Sequence, residues 1–484
     1  MTTNRIDVDA VFSVHPFART ILEGLQTAGH EAYLIGGVVR DGLQSVWGRE
    51  VRFPPRDVDI TTSATPQEIR TAFPETMIVD VGEAFGVLVL VDRDGRPYEV
   101  ATFREESGYD GRRPGKVDLV RSLEGDVLRR DLTINGLAAG CDGAVIDLVG
   151  GVHDLRDRRV AAIGEPRLRF EEDHLRLLRA VRFVSQIGGT LEPQTERAIR
   201  EAASWIAKIS QERIRDELLR LLETPRAGDG IERLYDLGLL VEILPEVVDL
   251  VGVPQPEEYH PEGDVFVHTL LAVRMADQFV EDPIVKLAVL LHDIGKPRAF
   301  VLRNGENMGG HCAIGARMAV RIGERLRMSR DEIGRLQNLV KNHMRIAALP
   351  EMGRGKQVRF VSTGENRSAI RLRDRYPVFM DLLQVLLADC EASAHRASGW
   401  EPILRETTRI ADHIETVCSL QEARELIDGD VLIRLGEPPG PRLGAILADL
   451  HDRILSGEIR TREEAEEAAH AAIASAGAGK NESE

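Results

Sequence analysis

Five groups of residues in this sequence have types and spacings that could do chemistry. Asp57 and Asp59, in the run DVDI, alternate with Val58 and Ile60, so on a strand both carboxylates face one side and the apolar pair faces the core. Adjacent carboxylates suit a pair of hard cations such as Mg2+, and two such ions can stabilise the attacking and leaving oxygens of a phosphoryl displacement. Upstream, Tyr33-Leu34-Ile35 reads as a short buried strand that stops at Gly36-Gly37, where the missing side chains allow a tight turn and close approach of backbone to a ligand. Arg40 follows where a cation could meet a phosphate held by that turn. In this order, within residues 33–60, the groups point to nucleotidyl transfer. The segment has neither the G-K-[ST] ending of a P-loop nor G-x-G-x-x-G.

The other four groups lie downstream. Glu99, in YEVATFR, offers a third carboxylate; a metal-facing acid and a solvated strand residue are both open readings. In RRDLTING, Arg130 could hold a triphosphate and Asp131 a ribose hydroxyl, although Arg-Arg-Asp also fits a solvated helix end. Residues 171–184, EEDHLRLLRAVRFV, read as one helix with Leu177, Ala180, Val181 and Val184 buried. On it Asp173 and Arg176 are i, i+3 neighbours, with Arg179 and Arg182 continuing the ridge. That spacing is common for surface ion pairs. A carboxylate beside a guanidinium also matches the amino donor and ring-nitrogen acceptor shared by cytosine and adenine, and would reject guanine and uracil without a template. The last group is His268, His292, Asp293, His311, His343 and Asp389. Its adjacent His-Asp pair lies in the apolar run KLAVLLHDIGK, where burying both is costly unless they bind something.

GGVVRD followed by DVD, then RRD and ED-x-x-R, closely resembles the motif series of the bacterial tRNA nucleotidyltransferase and poly(A) polymerase family, the class that includes CCA-adding enzymes. The His and Asp series resembles the HD metal-dependent phosphohydrolase domain that some members carry. The resemblance covers nearly the whole chain. It implies an α/β nucleotidyltransferase head with a mixed, polymerase β-like sheet, followed by all-α neck, HD and tail regions. It further implies transfer of CMP and AMP from CTP and ATP to the 3′ end of tRNA, with Mg2+ on Asp57 and Asp59 and Glu99 assisting. Gly36, Gly37, Arg40, Arg130, Asp131, Asp173, Arg176, Arg179 and Arg182 would bind nucleotide. Imidazole with carboxylate suits a divalent transition metal at His268, His292, Asp293, His311, His343 and Asp389. An A-adding enzyme or poly(A) polymerase shares these motifs, and a phosphohydrolase with an RNA-binding head is a further class. The long segment at 105–116 argues against a CC-only enzyme, and the intact D-x-D argues against a purely hydrolytic one. The stretch between Asp41 and Asp57 is longer than usual in the family and carries Arg49, Arg52 and Arg56.

These residues need a scaffold, and 484 residues suggest three or four domains. The expected division is a head at 1–160, a helical neck at 161–250, an HD domain at 251–400 after the proline-rich VPQPEEYHPEGD, a helical tail at 401–474 and disorder at 475–484. An amphipathic helix over 11–28 leads to Gly29 and the first strand. Thr65-Pro66 marks a helix start, 79–91 and 98–103 are strand-like, and EESGYDGRRPGK at 105–116 has the composition of a mobile loop. Thr461 to Glu464 resembles a capping box. The opening residues MTTNRIDVDA are polar and no apolar run approaches the ~20 residues of a membrane span, so a cytoplasmic protein with no membrane partner is expected. Four scattered cysteines exclude a zinc ribbon or disulfide framework and predict buried, reduced thiols. A net charge of −17 runs against nucleic-acid binding. About half of the excess lies after Asp389, where there are 19 acidic against 10 basic residues, which leaves the rest closer to balance.

Overall fold

Alternation of apolar and polar residues builds a seven-stranded mixed sheet in the first of two units, Met1–Pro245 and Glu246–Glu484. The structure is a computed structural model that describes residues 4–82, 86–107, 116–256, 260–261, 263–364, 371–393 and 401–478. In chain order the strands are β1 Ala32–Ile35, β2 Asp59–Thr62, β3 Met77–Gly82, β4 Val87–Val91, β5 Pro97–Thr102, β6 Arg104–Ser107, β7 Lys116–Leu119, β8 Leu137–Ala139 and β9 Val145–Asp147. The sheet order is β3-β4-β5-β2-β1-β8-β9, with β2 and β5 parallel and the other neighbours antiparallel. β6 and β7 form a separate hairpin. The sequence run 79–91 is thus two strands, and the interior of the expected mobile loop, 108–115, lies outside the described residues.

Register assigns each face its work. Leu34 pairs with Ile60, Ile60 with Val100 and Val100 with Leu88, and all four are buried. The helix Pro16–Thr27 packs against β1 and β2 and buries Ile21, Leu22 and Leu25. The amphipathic stretch at 11–28 is two helices, Val8–Val14 and Pro16–Thr27, because Pro16 cannot continue the hydrogen-bond ladder and serves as the first residue of a new helix. Thr65 caps the next helix, Pro66–Ala72, through a reciprocal pair with Glu68. On the opposite sheet face Ile35 and Ala138 pack with Phe103 and with Leu123 and Val127 of the helix Leu123–Leu128.

Asp126, on that short helix, is buried among polar partners. It accepts from Arg129 Nε at 2.9 Å, from Arg130 Nη2 at 3.2 Å and from Thr61 Oγ1 at 3.2 Å. Burial alone would raise its carboxyl, but Arg130 and Arg129 outweigh burial and lower it.

Residues 171–184 are not one helix. Pro166–Glu172 ends at Asp173, whose backbone is extended, and a second helix runs Arg176–Ile187 before Gly188 turns left-handed. Its expected inner face, Leu177, Ala180, Val181 and Val184, is buried.

The second unit is helical. Pro283–Leu291 is apolar but for Lys286, which pairs with Asp277 at 2.7 Å, and every residue from Ile284 to Leu291 is buried. Around it pack Val265–Ala276, Arg330–Asn342 and Pro377–Ala392, with His311–Arg325 against Arg330–Asn342. Thr461 and Glu464 form the expected capping box. The last helix runs Arg462–Ala478, four residues into the stretch expected to be disordered, and 479–484 lie outside the described residues. Among the described residues no helix is long and apolar enough to cross a membrane. Cys418 is buried, whereas Cys141, Cys312 and Cys390 are half-buried, which corrects the expectation of uniformly buried thiols, and none of the four is in a disulfide.

Replacing Asp126 by Ala removes the carboxylate that two largely covered guanidinium groups share. Breaking a buried ion pair this way costs about 3–5 kcal/mol. Because the native carboxyl is lowered, its stabilisation is complete above the ordinary carboxylate range and fades as pH falls through the lowered value. The expected result is a large loss of urea stability at pH 7 for Asp126→Ala, with the gap to the parent closing in acid.

Candidate active site and metal centre

The strand pairing of β2 and β5 brings the acids of the first unit together. Asp59, the first residue of β2, is the direct partner of Glu99 on β5, so both side chains leave the sheet on one face. Asp57 lies just before β2, exposed, while Val58 and Ile60 are buried beneath. Asp59 keeps its side chain exposed to solvent, yet the protein packed around it and the Glu99 carboxylate push it up to about 6, with Asp57 adding to the rise and Arg130 opposing it. Three oxygen donors whose mutual repulsion is only partly relieved are a fitting donor set for hard divalent cations.

The basic side of the site is built on Gly36. Its φ of +76° belongs to glycine, and it lets the chain turn from β1 straight into the helix Gly37–Val46. A Cβ built on Gly36 would stand 3.7 Å from Arg130 Nη1, so the glycine turn and Arg130 face each other. Arg130 Nε is buried with no hydrogen-bond partner among the described residues. Arg129 and Arg130 share Asp126, which leaves one positive charge in the trio.

The remaining predicted binders are held by acids. Arg40 is buried and donates to both oxygens of Asp41, at 2.8 and 2.9 Å, and to Asn135 Oδ1 at 2.8 Å. Asp131 accepts from Arg179 Nε at 2.6 Å and from the backbone N–H of Leu132. Burial works against its ionisation, but Arg179 prevails and holds it at about 2. Arg182 donates to Glu217 at 2.5 Å. Arg182, Arg40 and Arg179 also stand over the Phe183 ring at 4.1, 4.9 and 5.6 Å from its centroid.

Asp173 and Arg176 lie at a helix break and are not successive residues of one helical ridge, because Asp173 leaves the helical conformation. Asp173 pairs with Arg213 at 2.7 Å. Arg176 pairs with Glu172 at 2.5 Å and donates to the carbonyls of Arg169 and Arg129.

Sequence reasoning passed over Asp126, Asn135, Phe183 and Arg213. Asp126 had a readable signal, since an acid three and four residues before Arg129-Arg130 on a helix must meet them. Arg213 had none, since its partner is 40 residues away. In the long stretch before Asp57, Arg49 is tied to the carbonyls of Leu155 and Arg156 at 2.8 and 2.7 Å.

The second unit gathers all six predicted His and Asp residues. His268 lies on Val265–Ala276 and Asp389 on Pro377–Ala392, with His268 Nε2 and Asp389 Oδ1 3.0 Å apart. His292 and His343 each cap the C-terminus of a helix, where carbonyls lack partners, and Nδ1 contacts Val289 O at 2.7 Å and Val340 O at 2.8 Å. His311 Nδ1 reaches Met308 O at 3.0 Å. Donation from each Nδ1 turns Nε2 toward the centre as a lone pair. His292 Nε2 is 3.1 Å from Asp293 Oδ2 and 3.8 Å from Asp389 Oδ1, and His311 Nε2 is 3.4 Å from Asp293 Oδ1.

Burial, then the neighbouring His292, pushes His343 down to about 4, and burial lowers His311 as well. Burial would raise Asp293, but His292 and Lys296, 2.6 Å away, hold it well below the usual carboxylate range. Among the described residues the buried His292 Nε2 makes no hydrogen bond of good geometry, the nearby Asp293 Oδ2 at 3.1 Å being badly aligned for one. Such an orphaned nitrogen, aimed at carboxylates, is what a metal ligand leaves when considered without its ion. Gly295 makes the convergence possible: a Cβ there would lie 2.1 Å from His311 O, so no larger residue lets the two segments approach. Beside the centre is a cavity of about 620 Å³ lined by Lys296, Phe300, Met308 and Met344 among others.

Comparison with known proteins agrees with this architecture. Residues 32–161 match the poly A polymerase head domain, 189–250 the segment described as "Probable RNA and SrmB- binding site of polymerase A", and 265–384 the HD domain. The CCA-adding enzyme of Latilactobacillus sakei subsp. sakei (strain 23K) is 42% identical over 258 residues, 52% of this chain and 62% of that protein. The CCA-adding enzyme of Levilactobacillus brevis (strain ATCC 367) is 46% identical over 223 residues, 46% of this chain and 54% of that one. The matched stretch thus spans little more than half the length of these relatives. Among solved structures, the Bacillus stearothermophilus CCA-adding enzyme in complex with CTP superposes with a TM-score of 0.66 at 27% identity, over 96% of this chain and 98% of that chain. The Thermotoga maritima CCA-adding enzyme complexed with tRNA_CCA shares the fold, with a TM-score of 0.54 at 19% identity over 95% and 96% of the two chains. Along a fold of this kind the three domain models match in this order, so the chain carries a region similar to the poly A polymerase head domain, followed by regions similar to its RNA-binding segment and to the HD domain.

Proposed function

We propose that this chain adds CMP and AMP from CTP and ATP to the 3′ end of tRNA without a template, releasing pyrophosphate, in the cytoplasm. The observation that carries the reading is the placement of Asp59 against Glu99, with Asp57 adjacent and Arg130 opposing them across the Gly36 turn. Asp57 and Asp59 would hold Mg2+ with Glu99 assisting, and the bound ions would supply electrostatic stabilisation to the attacking 3′ oxygen and the leaving pyrophosphate. Arg130, whose Nε has no hydrogen-bond partner among the described residues and which shares Asp126 with Arg129, is the group best placed to hold the triphosphate. The backbone at Gly36-Gly37 comes close to the same group. Asp131 would accept a ribose hydroxyl while Arg179 holds it ionised. Arg40 and Arg182 would shape the pocket from their fixed positions around Phe183.

Asp57→Asn and Asp59→Asn each remove a charged oxygen ligand that an amide replaces poorly. Both variants should be folded and should fail to extend tRNA ending before CCA, at C or at CC, with CTP and ATP offered alone and together. Incorporation at the parent rate by both would refute the carboxylate assignment. With the parent, CTP used on the first two ends and ATP on the last distinguishes CCA addition from A addition or poly(A) synthesis.

Base choice falls to Asp173 and Arg176. Both sit where the two helices break, and a base edge would exchange for the present contacts to Arg213 and Glu172. A bidentate base contact is worth ~1–3 kcal/mol of discrimination. Asp173→Ala and Arg176→Ala should therefore allow UTP and GTP to compete in single-nucleotide incorporation. Retained C and A preference with reduced stability would make the pair a structural joint.

A second reading concerns the HD domain. The six converged ligands and the orphaned His292 Nε2 support a divalent transition metal there and hydrolysis of phosphomonoesters or 2′,3′-cyclic phosphates. Turnover of a 2′,3′-cyclic nucleotide with nickel, cobalt or manganese, lost in His292→Ala, is the expected result. Absence of turnover with every metal, or turnover unchanged in the variant, would leave the domain as a scaffold.

A further inference from the structure

The HD centre has a possible ligand that the six His and Asp residues do not include. Cys312 follows His311 at the start of the helix His311–Arg325, and its Sγ lies 3.5 Å from His311 Nε2. His311 Nε2 is in turn 3.4 Å from His343 Nε2, and the ligand atoms of His311, Cys312 and His343 all lie within 4.8 Å of one another. These separations can be compared with a tetrahedral site. Zinc bonds of ~2.0–2.1 Å to nitrogen and ~2.3 Å to sulfur, at a tetrahedral angle, set nitrogens ~3.4 Å apart and nitrogen from sulfur by ~3.5 Å. A fourth corner is available, since Asp293 Oδ1 is 3.4 Å from His311 Nε2 and 3.8 Å from His343 Nε2.

The two oxygens of Asp293 face different partners. Oδ2 is near His292 and Lys296, and Oδ1 is near His311 and His343. One half of the centre is therefore His268, His292 and Asp389, all hard or borderline donors. The other half adds a sulfur. Its position follows from the chain: Gly295 lets the His311 turn come close, and the first turn of that helix then carries Cys312 in with His311.

We propose that Cys312 is a metal ligand, completing with Asp293, His311 and His343 a four-coordinate position selective for a thiophilic divalent cation, Zn2+ or Co2+, over Mg2+. The proposal rests on the reading of the HD domain as a metal centre. Binding replaces the thiol proton by the metal–sulfur bond, and the proton leaves to solvent. A soft thiolate in the ligand set disfavours magnesium, which prefers oxygen donors and octahedral geometry.

Cobalt serves as the probe, with the full chain freed of metal and titrated with Co2+. The expected result is uptake of about two cobalt ions per HD domain, with a thiolate-to-cobalt charge-transfer band in the near ultraviolet and the intense visible bands of a four-coordinate ion. Cys312→Ser should abolish the charge-transfer band while cobalt remains bound at the position formed by His268, His292 and Asp389. Cys390→Ser, which changes the thiol lining the neighbouring cavity, should leave the band intact. His343→Ala, which removes a different corner of the same position, should abolish it, so the conclusion does not depend on one variant being folded. Cobalt uptake by the parent without a charge-transfer band, or a band that persists in Cys312→Ser, overturns the role of Cys312 while leaving the metal centre standing. No cobalt uptake at the HD ligands overturns both readings.

Discussion

Backbone pairing between β2 and β5 is the constraint on which the head depends. Because side chains alternate along a strand, the register that sets Asp59 opposite Glu99 also buries Ile60 against Leu34 and Val100. A slip of one residue would turn the carboxylates toward the core and expose the apolar row. The hydrophobic pattern therefore holds like charges together that would otherwise separate, and folding into the apolar core sustains the electrostatic cost seen at Asp59. That Arg130, whose charge opposes the rise at Asp59, is oriented through Asp126 and in turn through Thr61 on β2 ties the cationic side of the site to the same strand.

The two units solve one problem, the convergence of costly polar groups, by different means. The head uses sheet register, which fixes distances between residues far apart in sequence. The HD domain uses helix termini: His292 and His343 occupy corresponding positions at the ends of two packed helices, where donation to the preceding turn fixes the ring and its tautomer. Both arrangements make the site a by-product of core packing. Neither requires a long loop to hold a ligand.

What was legible in the sequence follows the range of the interactions. Gly36, the D-x-D carboxylates and the His-Asp pair are local patterns, and the strand ending at Gly36 was readable from its apolar run. The six HD residues could be named but not joined, since 121 positions separate His268 from Asp389 and only helix packing closes that distance. The break at Asp173 was hidden because helical periodicity continues through it: Leu177, Ala180, Val181 and Val184 fit a helix whether it starts at 171 or 176. Arg213 and Glu217, on Gln211–Leu222, were read simply as a periodic helix, yet they receive Asp173 and Arg182. Long-range ion pairs of this kind leave no local trace.

The arginines around Phe183 bear on how an acidic chain could hold the triphosphate of the proposed reaction. Arg40, Arg179 and Arg182 face Asp41, Asp131 and Glu217, so each positive charge is balanced where it stands. Their guanidinium planes are nevertheless fixed by bidentate or stacked contacts and lose little freedom when a nucleotide enters. The Asp126 trio differs, since one carboxylate serves two arginines and leaves a net positive charge beside Gly36. In the proposed reaction a phosphate would meet, beside Gly36, two arginines that share one carboxylate among several immobilised guanidinium groups. Local imbalance, set by how many arginines share each carboxylate, decides the field at the site, and a net charge of −17 over the whole chain does not.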